Sequence, residues 1–367
     1  MDDFASAHAT GDTARAVGEA LAEQLRGVEG HTVGFLYVTS DIAGELGEVV
    51  SALRARTGIT TWTGTAGHGV CGSGIEYWSG PAATVLTGRL TKASCSALPS
   101  VATVEALEAM TDFGATAGLG VLHGDPRNGR VVELVEALSS ASGAYLVGGL
   151  TSASDEFPQM AGERVVDGGI SGVLIGGRFN VAVGLTQGCT PIGPVHEVTR
   201  CEGQIVAMLD HQPAYQVMCE DIGIAESADP RPWLANVHAA FPVEGSNEAD
   251  YVVRNLIGID PRQGLVAIAE TMQPGDRVMF VRRDAESASK DLKRMLAALS
   301  SRLTGAPKAG LYYSCVARGP NLFSDEHYEM HAIRDAFGDI PIAGFFGNGE
   351  ISDDRVYGYT GVLTLFS

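Results

Sequence analysis

The sequence ends in IPIAGFFGNGEISDDRVYGYTGVLTLFS (residues 340–367), and this stretch decides the fold class. It predicts a short apolar strand at 341–346, a glycine-dense turn at 347–350 and a second strand at 357–366. Because the two glycines of the turn adopt positive φ at little cost, the first strand is expected to break there. A helical pattern does not follow the glycines, which argues against a dinucleotide-binding or P-loop arrangement.

The same order of strand, glycine turn and strand occurs twice earlier, at 61–86 and 145–175. Helix, strand and helix patterns precede each turn, so the sequence predicts repeated α-β-α-β-β units with Gly64, Gly148 and Gly347 on related edges. Parallel strands joined by helices indicate an α/β protein with one or two mixed, mainly parallel sheets. The alternative is that three unrelated segments match by chance.

Between the second and third units the pattern changes. Strand patterns at 251–257, 265–269 and 277–282 follow one another closely and predict an additional antiparallel segment before the last unit. We therefore predict two domains. Residues 1–205 form the first, with two units, and residues 206–367 form the second, with the antiparallel strands and the third unit.

Composition restricts the classes of function. The formal net charge of −19 argues against nucleic acid or an anionic membrane as a partner. The acidic N-terminus does not resemble a signal peptide, and the apolar runs are too short to insert into a membrane. The six cysteines lack CxxC spacing and predict reduced thiols in a cytoplasmic protein.

Several segments together resemble one known family. They are QGCTPIGP (187–194), HQPAY (211–215), a Gly-x-Asp pattern (258–260), Cys-Val-Ala-Arg-Gly (315–319) and GFFGNGE (344–350). These segments are similar to the FIST family of F-box and intracellular signal transduction proteins, which have paired FIST-N and FIST-C domains. The similarity extends over nearly the whole chain.

The resemblance implies a sensory protein that binds a small ligand, with amino acids as the expected class. Some bacterial members are haem proteins that sense nitric oxide and regulate a histidine kinase or a diguanylate cyclase. An F-box-like segment, a kinase or a cyclase is not recognisable in this sequence. The resemblance therefore implies a separate output partner, such as a histidine kinase or a cyclic-dinucleotide enzyme.

Ligands of open α/β sheets gather beyond the carboxyl ends of the strands, where this sequence has hydroxyl, thiol, amide and charged side chains. The candidate ligand-binding residues are Ser40, Asp41, Thr151, Ser152, Cys189, Cys315, Arg318, Asn348 and Glu350. Arg318 would bind the carboxylate of an amino acid, and Asp41 or Glu350 would take its ammonium group. The alternative is that Arg318 pairs internally with Glu350.

Two further kinds of site stay open in the sequence. A thiol-dependent enzyme would use Cys189 or Cys315, provided that a neighbouring base lowers the pKa of the thiol. A zinc site would use His327 and His331, which have i, i+4 spacing, although HExxH is absent and a third ligand is not apparent.

Haem is the alternative to a small polar ligand. A haem iron needs one axial histidine, cysteine or tyrosine in an apolar pocket. His68, His123 and His196 follow or flank predicted strands and are the axial candidates.

Overall fold

The computed structural model describes residues 2–91, 93–110, 117–227, 229, 231–243 and 250–367. The chain forms two compact units. Unit 1 comprises Met1–Thr186 and Leu292–Ser367, and unit 2 comprises Gln187–Asp291.

The helices follow the apolar periodicity of the sequence and end where glycine is available. Helix α1 begins after Thr13, whose hydroxyl accepts a hydrogen bond from Ala16 N, and α2 ends at Gly58 in the left-handed conformation. The helices are α1 (Ala14–Gln24), α2 (Leu46–Thr57), α3 (Val104–Glu108), α4 (Val131–Ser142), α5 (Ala214–Ile222), α6 (Arg231–Leu234), α7 (Ala285–Arg302) and α8 (Tyr328–Phe337). Short 3₁₀ helices lie at Ser40–Glu45 and Gly319–Asn321.

The strands are numbered in chain order. The strands up to the start of unit 2 are β1 (Asp3–Thr10), β2 (Val33–Thr39), β3 (Thr61–Gly67), β4 (Gly69–Gly72), β5 (Ile75–Tyr77), β6 (Ala82–Arg89), β7 (Ala93–Val101), β8 (Ala117–Gly124), β9 (Tyr145–Leu150), β10 (Gln159–Ala161), β11 (Arg164–Val166), β12 (Ile170–Gly177) and β13 (Val181–Thr186). Those of unit 2 are β14 (Cys189–Pro191), β15 (His196–Glu202), β16 (Ile205–Leu209), β17 (Gln212–Pro213), β18 (Val237–Pro242), β19 (Tyr251–Asp260), β20 (Leu265–Ile268) and β21 (Arg277–Arg283). The last strands are β22 (Ala309–Cys315), β23 (Ile342–Gly347), β24 (Glu350–Ser352), β25 (Arg355–Tyr357) and β26 (Gly361–Phe366).

Unit 1 contains three sheets of six described strands each, and the three sheets share one order of pairing. The orders are β1-β6-β2-β3-β10-β11, β7-β12-β8-β9-β24-β25 and β13-β26-β22-β23-β4-β5. In each sheet a parallel pair (β2–β3, β8–β9 or β22–β23) lies at the centre, and an antiparallel strand pairs with its first member.

Hairpins link the three sheets to one another. Hairpin β4–β5 follows β3 in the chain but pairs with β23, β10–β11 follows β9 but pairs with β3, and β24–β25 follows β23 but pairs with β9. Each sheet is therefore completed by a hairpin that follows a central strand of a different sheet. This exchange brings the ends of β3, β9 and β23 close together.

Each central parallel pair contains a glycine that no other residue could replace without displacing the neighbouring strand. The pairs are Leu36 with Gly64, Leu122 with Gly148 and Tyr312 with Gly344. A Cβ on these glycines would lie 1.8, 1.9 and 1.7 Å, respectively, from the carbonyl oxygen of the partner residue. In the third sheet the corresponding glycine is thus Gly344 and not the turn residue Gly347.

One apolar core lies between the three sheets. It includes Tyr37, Tyr313 and Phe345, with Val121 and Val173 from the sheet of β8. Separate clusters cover the outer faces, under α1 and α2, under α4, and under α7 with α8. Both faces of each sheet are therefore buried, which explains why central strands such as β2, β22 and β23 are buried along their whole length.

Unit 2 is an antiparallel sheet with α5 packed on it. Its strand order is β14-β21-β15-β16-β20-β19-β18, with a further pairing of β21 with β18. Tyr215 and Met218 of α5 pack with Val206, Val266 and Phe280 of the sheet. The antiparallel segment predicted before the last unit is confirmed by β19, β20 and β21.

The mixed α/β class is confirmed, but the prediction of one or two mainly parallel sheets is wrong. Among the described strands the parallel pairs are β2–β3, β8–β9 and β22–β23, whereas the other ladders are antiparallel. The glycine turns lead into hairpins, and a hairpin can pair only in the antiparallel sense with its own partner. The sequence also predicts a helix at 104–113, of which the structure shows α3 over Val104–Glu108. Positions 111–113 lie outside the described residues.

The repeat of α-β-α-β-β units and the division at residue 205 stay predictions. Strand β1, which precedes the first unit, and the three hairpins are absent from the predicted pattern.

Replacing Gly344 by alanine tests the central constraint. The new methyl group would meet the carbonyl oxygen of Tyr312, so we expect the free energy of unfolding to fall by about 3 kcal/mol or more in urea titrations. Gly305→Ala is the matched control, because a Cβ there meets nothing within 4 Å. Equal stability of the two variants would contradict the constraint.

Candidate functional site

The polar ends of β3, β9 and β23 meet at one place, which we call the turn junction (Thr65, His68, Thr151, Ser152 and Asn348). The hydroxyl oxygens of Thr65 and Thr151 are 2.6 Å apart, and the backbone N–H of His68 donates to Ser152 Oγ at 2.7 Å. The side-chain amide of Asn348 donates to Thr151 O at 3.1 Å. Three chain segments that are distant in sequence are therefore joined by hydrogen bonds.

A buried group of charged side chains, which we call the charge cluster (Arg318, Glu329 and Glu350), lies next to β22. The side chains of all three residues are fully buried. Arg318 follows β22, Glu329 belongs to the first turn of α8, and Glu350 begins β24. Burial of three ionisable groups requires close partners, since an unpaired buried charge is strongly unfavourable.

Glu329 is the best-satisfied member of the charge cluster. Its carboxylate accepts hydrogen bonds from Tyr312 Oη at 2.6 Å, Ser314 Oγ at 3.0 Å and Arg318 Nε at 2.8 Å. The backbone N–H of Gly319 donates to the same carboxylate at 3.3 Å. Four donors from β22 and the following loop hold this carboxylate in place.

Arg318 forms an ion pair with Glu329. The sequence left open a pair with Glu350 instead. The Nη2 of Arg318 forms the ion pair with Glu329 Oε1 at 2.8 Å, but neither Nη1 nor Nη2 has a hydrogen-bond partner among the residues that the structure describes. Burial alone lowers the pKa of Arg318, but the carboxylate of Glu329 more than offsets this effect and raises that pKa. The guanidinium is charged, and Nη1, which is not part of the ion pair, can donate to a ligand.

Glu350 presents a second unused polar atom. Its Oε2 accepts from the hydroxyl of Thr360 at 2.8 Å and from Thr360 N at 3.2 Å, whereas Oε1 has no hydrogen-bond partner within the described ranges. Burial raises the pKa of Glu350 to about 8, although Thr360 and the charge of Arg318 act in the opposite direction. The carboxyl group is therefore mostly protonated at neutral pH.

Trp78 covers the loop that follows Arg318. A Cβ on Gly319 would lie 2.2 Å from Trp78 Cζ2, so the indole ring lies against the backbone of Gly319, and its centroid is 4.1 Å from that of Phe346. Trp78 Nε1 donates to Glu76 Oε2 at 3.2 Å. Burial raises the pKa of Glu76 to about 7, and the negative charge of Glu329 adds to this effect.

Cys315 ends β22 beside the charge cluster. Burial raises the pKa of its thiol, and the neighbouring Glu350 raises that pKa further. Backbone N–H groups of Ala317 and Tyr359 face the sulfur, and Tyr359 itself has a φ of +64°. The thiol is held in its protonated form, which is the less nucleophilic one.

The structure therefore brings the predicted site residues together in two groups of unit 1 and leaves others apart. Thr151, Ser152 and Asn348 belong to the turn junction, whereas Cys315, Arg318 and Glu350 lie at the charge cluster. Ser40 Oγ donates to Gly67 O at 3.4 Å, at the edge of the junction, and Asp41 is exposed. Cys189 lies in unit 2, where its carbonyl oxygen accepts a hydrogen bond from Tyr251 Oη.

Two of the three histidines proposed as haem ligands do not fit that role. His123 lies at the centre of unit 1, with Nδ1 3.2 Å from Thr63 Oγ1 and Nε2 3.4 Å from Tyr37 Oη. Burial lowers the pKa of His123 to about 3. In unit 2, His196 lies between Asp210 and Asp221 at 2.7 and 3.0 Å.

The charge of His196 follows from these carboxylates. Burial lowers the pKa of His196, but hydrogen bonds to Asp210 and Asp221 outweigh burial and raise it. Both ring nitrogens of His123 and of His196 are thus engaged by protein groups and are not available to an iron. His68 is exposed, with its ring edge-on to Trp78 at a centroid distance of 6.2 Å.

Of the two zinc candidates, His327 is held by a hydrogen bond from the protein. His327 precedes α8, and its Nδ1 accepts a hydrogen bond from Glu76 N at 3.1 Å. The rings of His327 and His331 lie 5.7 Å apart. Among the described residues, groups of three or more histidine, cysteine, aspartate or glutamate side chains with metal-binding geometry are not found.

Sequence reasoning missed Glu329 and Thr360. A usable signal exists for Glu329, because it lies one turn before the buried Ile333 and thus on the apolar face of α8. A carboxylate on such a face indicates a buried partner. Thr360 carries no comparable signal in the sequence.

The fold and the buried site define a mixed α/β protein with a polar cluster beside the ends of its central strands. Comparison with protein families then identifies its class. The model of the FIST N domain matches residues 32–212, and the model of the FIST C domain matches residues 214–353. The chain therefore belongs to the FIST family, whose domains are associated with sensory signal transduction.

The relatives found are themselves without assigned functions. An uncharacterized protein of Mycobacterium tuberculosis is 28% identical over 376 residues, which is 97% of each chain. An uncharacterized protein of Mycobacterium bovis is 33% identical over 216 residues, 55% of this chain and 54% of its own. The crystal structure of cyanuric acid hydrolase from A. caulinodans aligns with a TM-score of 0.31 at 11% identity, over 100% of this chain and 99% of that one. A similarity this weak supports no argument about activity.

Within the described ranges, none of the helices combines the length and apolar character that crossing a membrane requires.

Because Glu350 is protonated in the folded protein, we expect Glu350→Gln to become more stable relative to the wild type as the pH rises. Between its ordinary value of 4.5 and about 8, the folded carboxyl keeps a proton that the unfolded chain has lost. The wild type therefore loses about 1.4 kcal/mol of stability per pH unit in this window relative to the glutamine variant, and no more above it.

Urea titrations at pH 5, 6, 7 and 8 measure this difference. Glu19→Gln, which removes an exposed carboxylate paired with Arg15, serves as the control and should show no such trend. A difference between wild type and Glu350→Gln that stays constant with pH would show that Glu350 is ionised in the folded protein.

Proposed function

We propose that this protein is a sensory FIST protein that binds a small amino acid at the charge cluster and reports its presence to a separate output partner. The carrying observation is a pair of unused polar atoms on buried side chains. They are Arg318 Nη1 and Glu350 Oε1, neither of which has a hydrogen-bond partner in the described part of the chain. Buried polar atoms without partners are rare in folded proteins and indicate a group still to be bound.

The chemistry of the two atoms matches an amino acid. A guanidinium N–H donates to a carboxylate, and a carboxylate oxygen accepts from an ammonium group. Glu329 keeps Arg318 charged and fixes its orientation, so that the ligand does not have to order this side chain. Thr360 does the same for Glu350 through Oε2.

Trp78 supports a route from binding to signal. The indole ring is half-buried and lies over Gly319, directly after Arg318. We propose that a ligand enters by displacing this ring, which also contacts Phe346 beside the turn junction. The ring movement would alter the surface near His68, where an output partner could detect it.

The arrangement of the three sheets supports a single ligand site. The shared pairing order of the three sheets favours their origin as repeats of one unit, with the third copy divided by unit 2 in the chain. Only the third copy carries the charge cluster, which favours one ligand site rather than three. A histidine kinase or a cyclic-dinucleotide enzyme remains the proposed output partner, and a cytoplasmic location remains a prediction.

The structure offers less support for the other candidate functions. The raised pKa of the Cys315 thiol disfavours a thiol-dependent enzyme at this position. The hydrogen bonds at His123 and His196 disfavour a haem sensor that uses either of them.

A thermal-shift screen of the twenty protein amino acids tests the proposal. A ligand at 100 times its dissociation constant should add about 2.7 kcal/mol of stability. Arg318→Lys should keep a positive charge beside Glu329 but lose Nη1, and should therefore weaken binding about tenfold to a hundredfold. Arg127→Lys is the matched control, since the half-exposed Arg127 forms an ion pair with the buried Asp125 and with no residue of the charge cluster.

Tryptophan fluorescence provides the second measurement. Addition of the stabilising amino acid should change the emission of the wild type but not that of Trp78→Phe, which retains Trp62 and Trp233. If none of the twenty amino acids shifts the melting temperature, or if Arg318→Lys binds as tightly as the wild type, the proposed function is wrong.

A further inference from the structure

The charge cluster contains more acidic groups than it can neutralise. Arg318 is its cation, and its closest carboxylate is that of Glu329, at 2.8 Å. Glu350 is the second carboxyl group, and it is as fully buried as the ion pair. When ionised, it would be a buried negative charge whose Oε1 has no hydrogen-bond donor among the described residues. Such a group takes up a proton.

We propose that Glu350 exchanges this proton for the ammonium group of the ligand, so that the site binds primary amines by releasing one proton to solvent. This inference rests on the function proposed above. It also predicts which small carboxylates the site selects at a given pH. Among small carboxylates, those with an ammonium group at the adjacent carbon bind better as the pH rises, whereas those without one bind worse.

The exchange of a proton for an ammonium group takes place at the carboxyl group of Glu350. In the free protein the carboxyl group of Glu350 keeps its proton, and Thr360 donates to Oε2 through both its hydroxyl and its backbone N–H. On binding, the proton passes to water or buffer, and an ammonium N–H of the ligand donates to Oε1. The hydrogen bonds of Thr360 persist throughout, so the side chain does not have to move.

The groups that face Glu350 from each neighbouring element agree with this exchange. Arg318, from the loop after β22, favours the ionised form, and Glu329, from α8, opposes it. Cys315, at the end of β22, is held as a neutral thiol and contributes no charge. The free site is therefore electrically balanced with Glu350 protonated. In the bound site the ammonium group offsets the charge of the ionised Glu350, and Arg318 is shared between Glu329 and the carboxylate of the ligand.

The consequence is a specific dependence of affinity on pH. Burial places the pKa of Glu350 at about 8, so each binding event below that pH must expel a proton. We expect the affinity for an amino acid to increase about tenfold per pH unit between pH 6 and pH 8. A carboxylate without an amine, such as propionate, should bind more weakly as the pH rises, because it benefits only from the protonated form.

Isothermal titration calorimetry measures the proton directly. The probes are the twenty protein amino acids, added singly at pH 7 in phosphate and in Tris, and propionate as the ligand without an amine. These buffers differ in their enthalpy of ionisation, so the difference in observed heat counts the protons released. We expect close to one for the wild type and none for Glu350→Gln.

Asp221→Asn is the matched control, because Asp221 is another largely buried carboxyl group with a raised pKa but belongs to unit 2 and pairs there with His196. It should still release the proton. Glu350→Gln resembles the protonated acid and should fold. Should it not, the pH dependence of the wild-type affinity between pH 6 and pH 8 decides the question.

Two failures are distinguishable. Binding of an amino acid without release of a proton, or with an affinity that is flat from pH 6 to pH 8, would overturn the exchange and leave the proposed function intact. Absence of binding by every amino acid would overturn the proposed function, and the exchange with it. Retention of proton release in Glu350→Gln would assign the proton to another group and reject Glu350.

Discussion

Unit 1 depends on a steric constraint that occurs once in each of its sheets. In every central parallel pair, a carbonyl oxygen of one strand occupies the space where a side chain of the other would begin. Only glycine permits this approach, so Gly64, Gly148 and Gly344 set how closely the paired strands lie. The residues after the three carbonyl groups, Tyr37, His123 and Tyr313, then meet in the common core, with the two tyrosine hydroxyls 2.8 Å apart. Close approach of the strands and a shared polar centre are thus two results of one constraint.

The same constraint explains where the polar groups collect. Because the central strands end near one another, hydrogen bonds link turns that are distant in sequence, as between His68 and Ser152. The third sheet differs from the others in having a buried ion pair beside the end of β22. A buried ion pair is a weak source of stability, since desolvation offsets most of the attraction. The ion pair, together with Arg318 Nη1 and Glu350 Oε1, which lack hydrogen-bond partners among the described residues, supports the binding role that we propose.

The sequence identified some residues of the candidate site but not the partners with which they pair. Arg318, Glu350 and Cys315 were predicted from their positions after strands, and the structure places all three together. The sequence did not identify Glu329 as the partner of Arg318. Periodicity indicates only whether a helix residue faces the core or solvent, and not which side chain it contacts. His123 illustrates the opposite case. It follows the expected strand but points into the core, where Tyr37 and Thr63 engage it.

What the sequence alone determined is local or compositional. Apolar runs mark the central strands, glycine turns mark where they end, and family motifs identify a FIST protein. What only the tertiary structure decided is which distant segments meet. The exchange of hairpins between sheets and the choice of Glu329 over Glu350 both depend on contacts between elements far apart in the chain. Strand pairing and burial of charge are properties of the assembled sheets, since a hydrogen-bonding edge accepts any strand that the rest of the fold delivers to it.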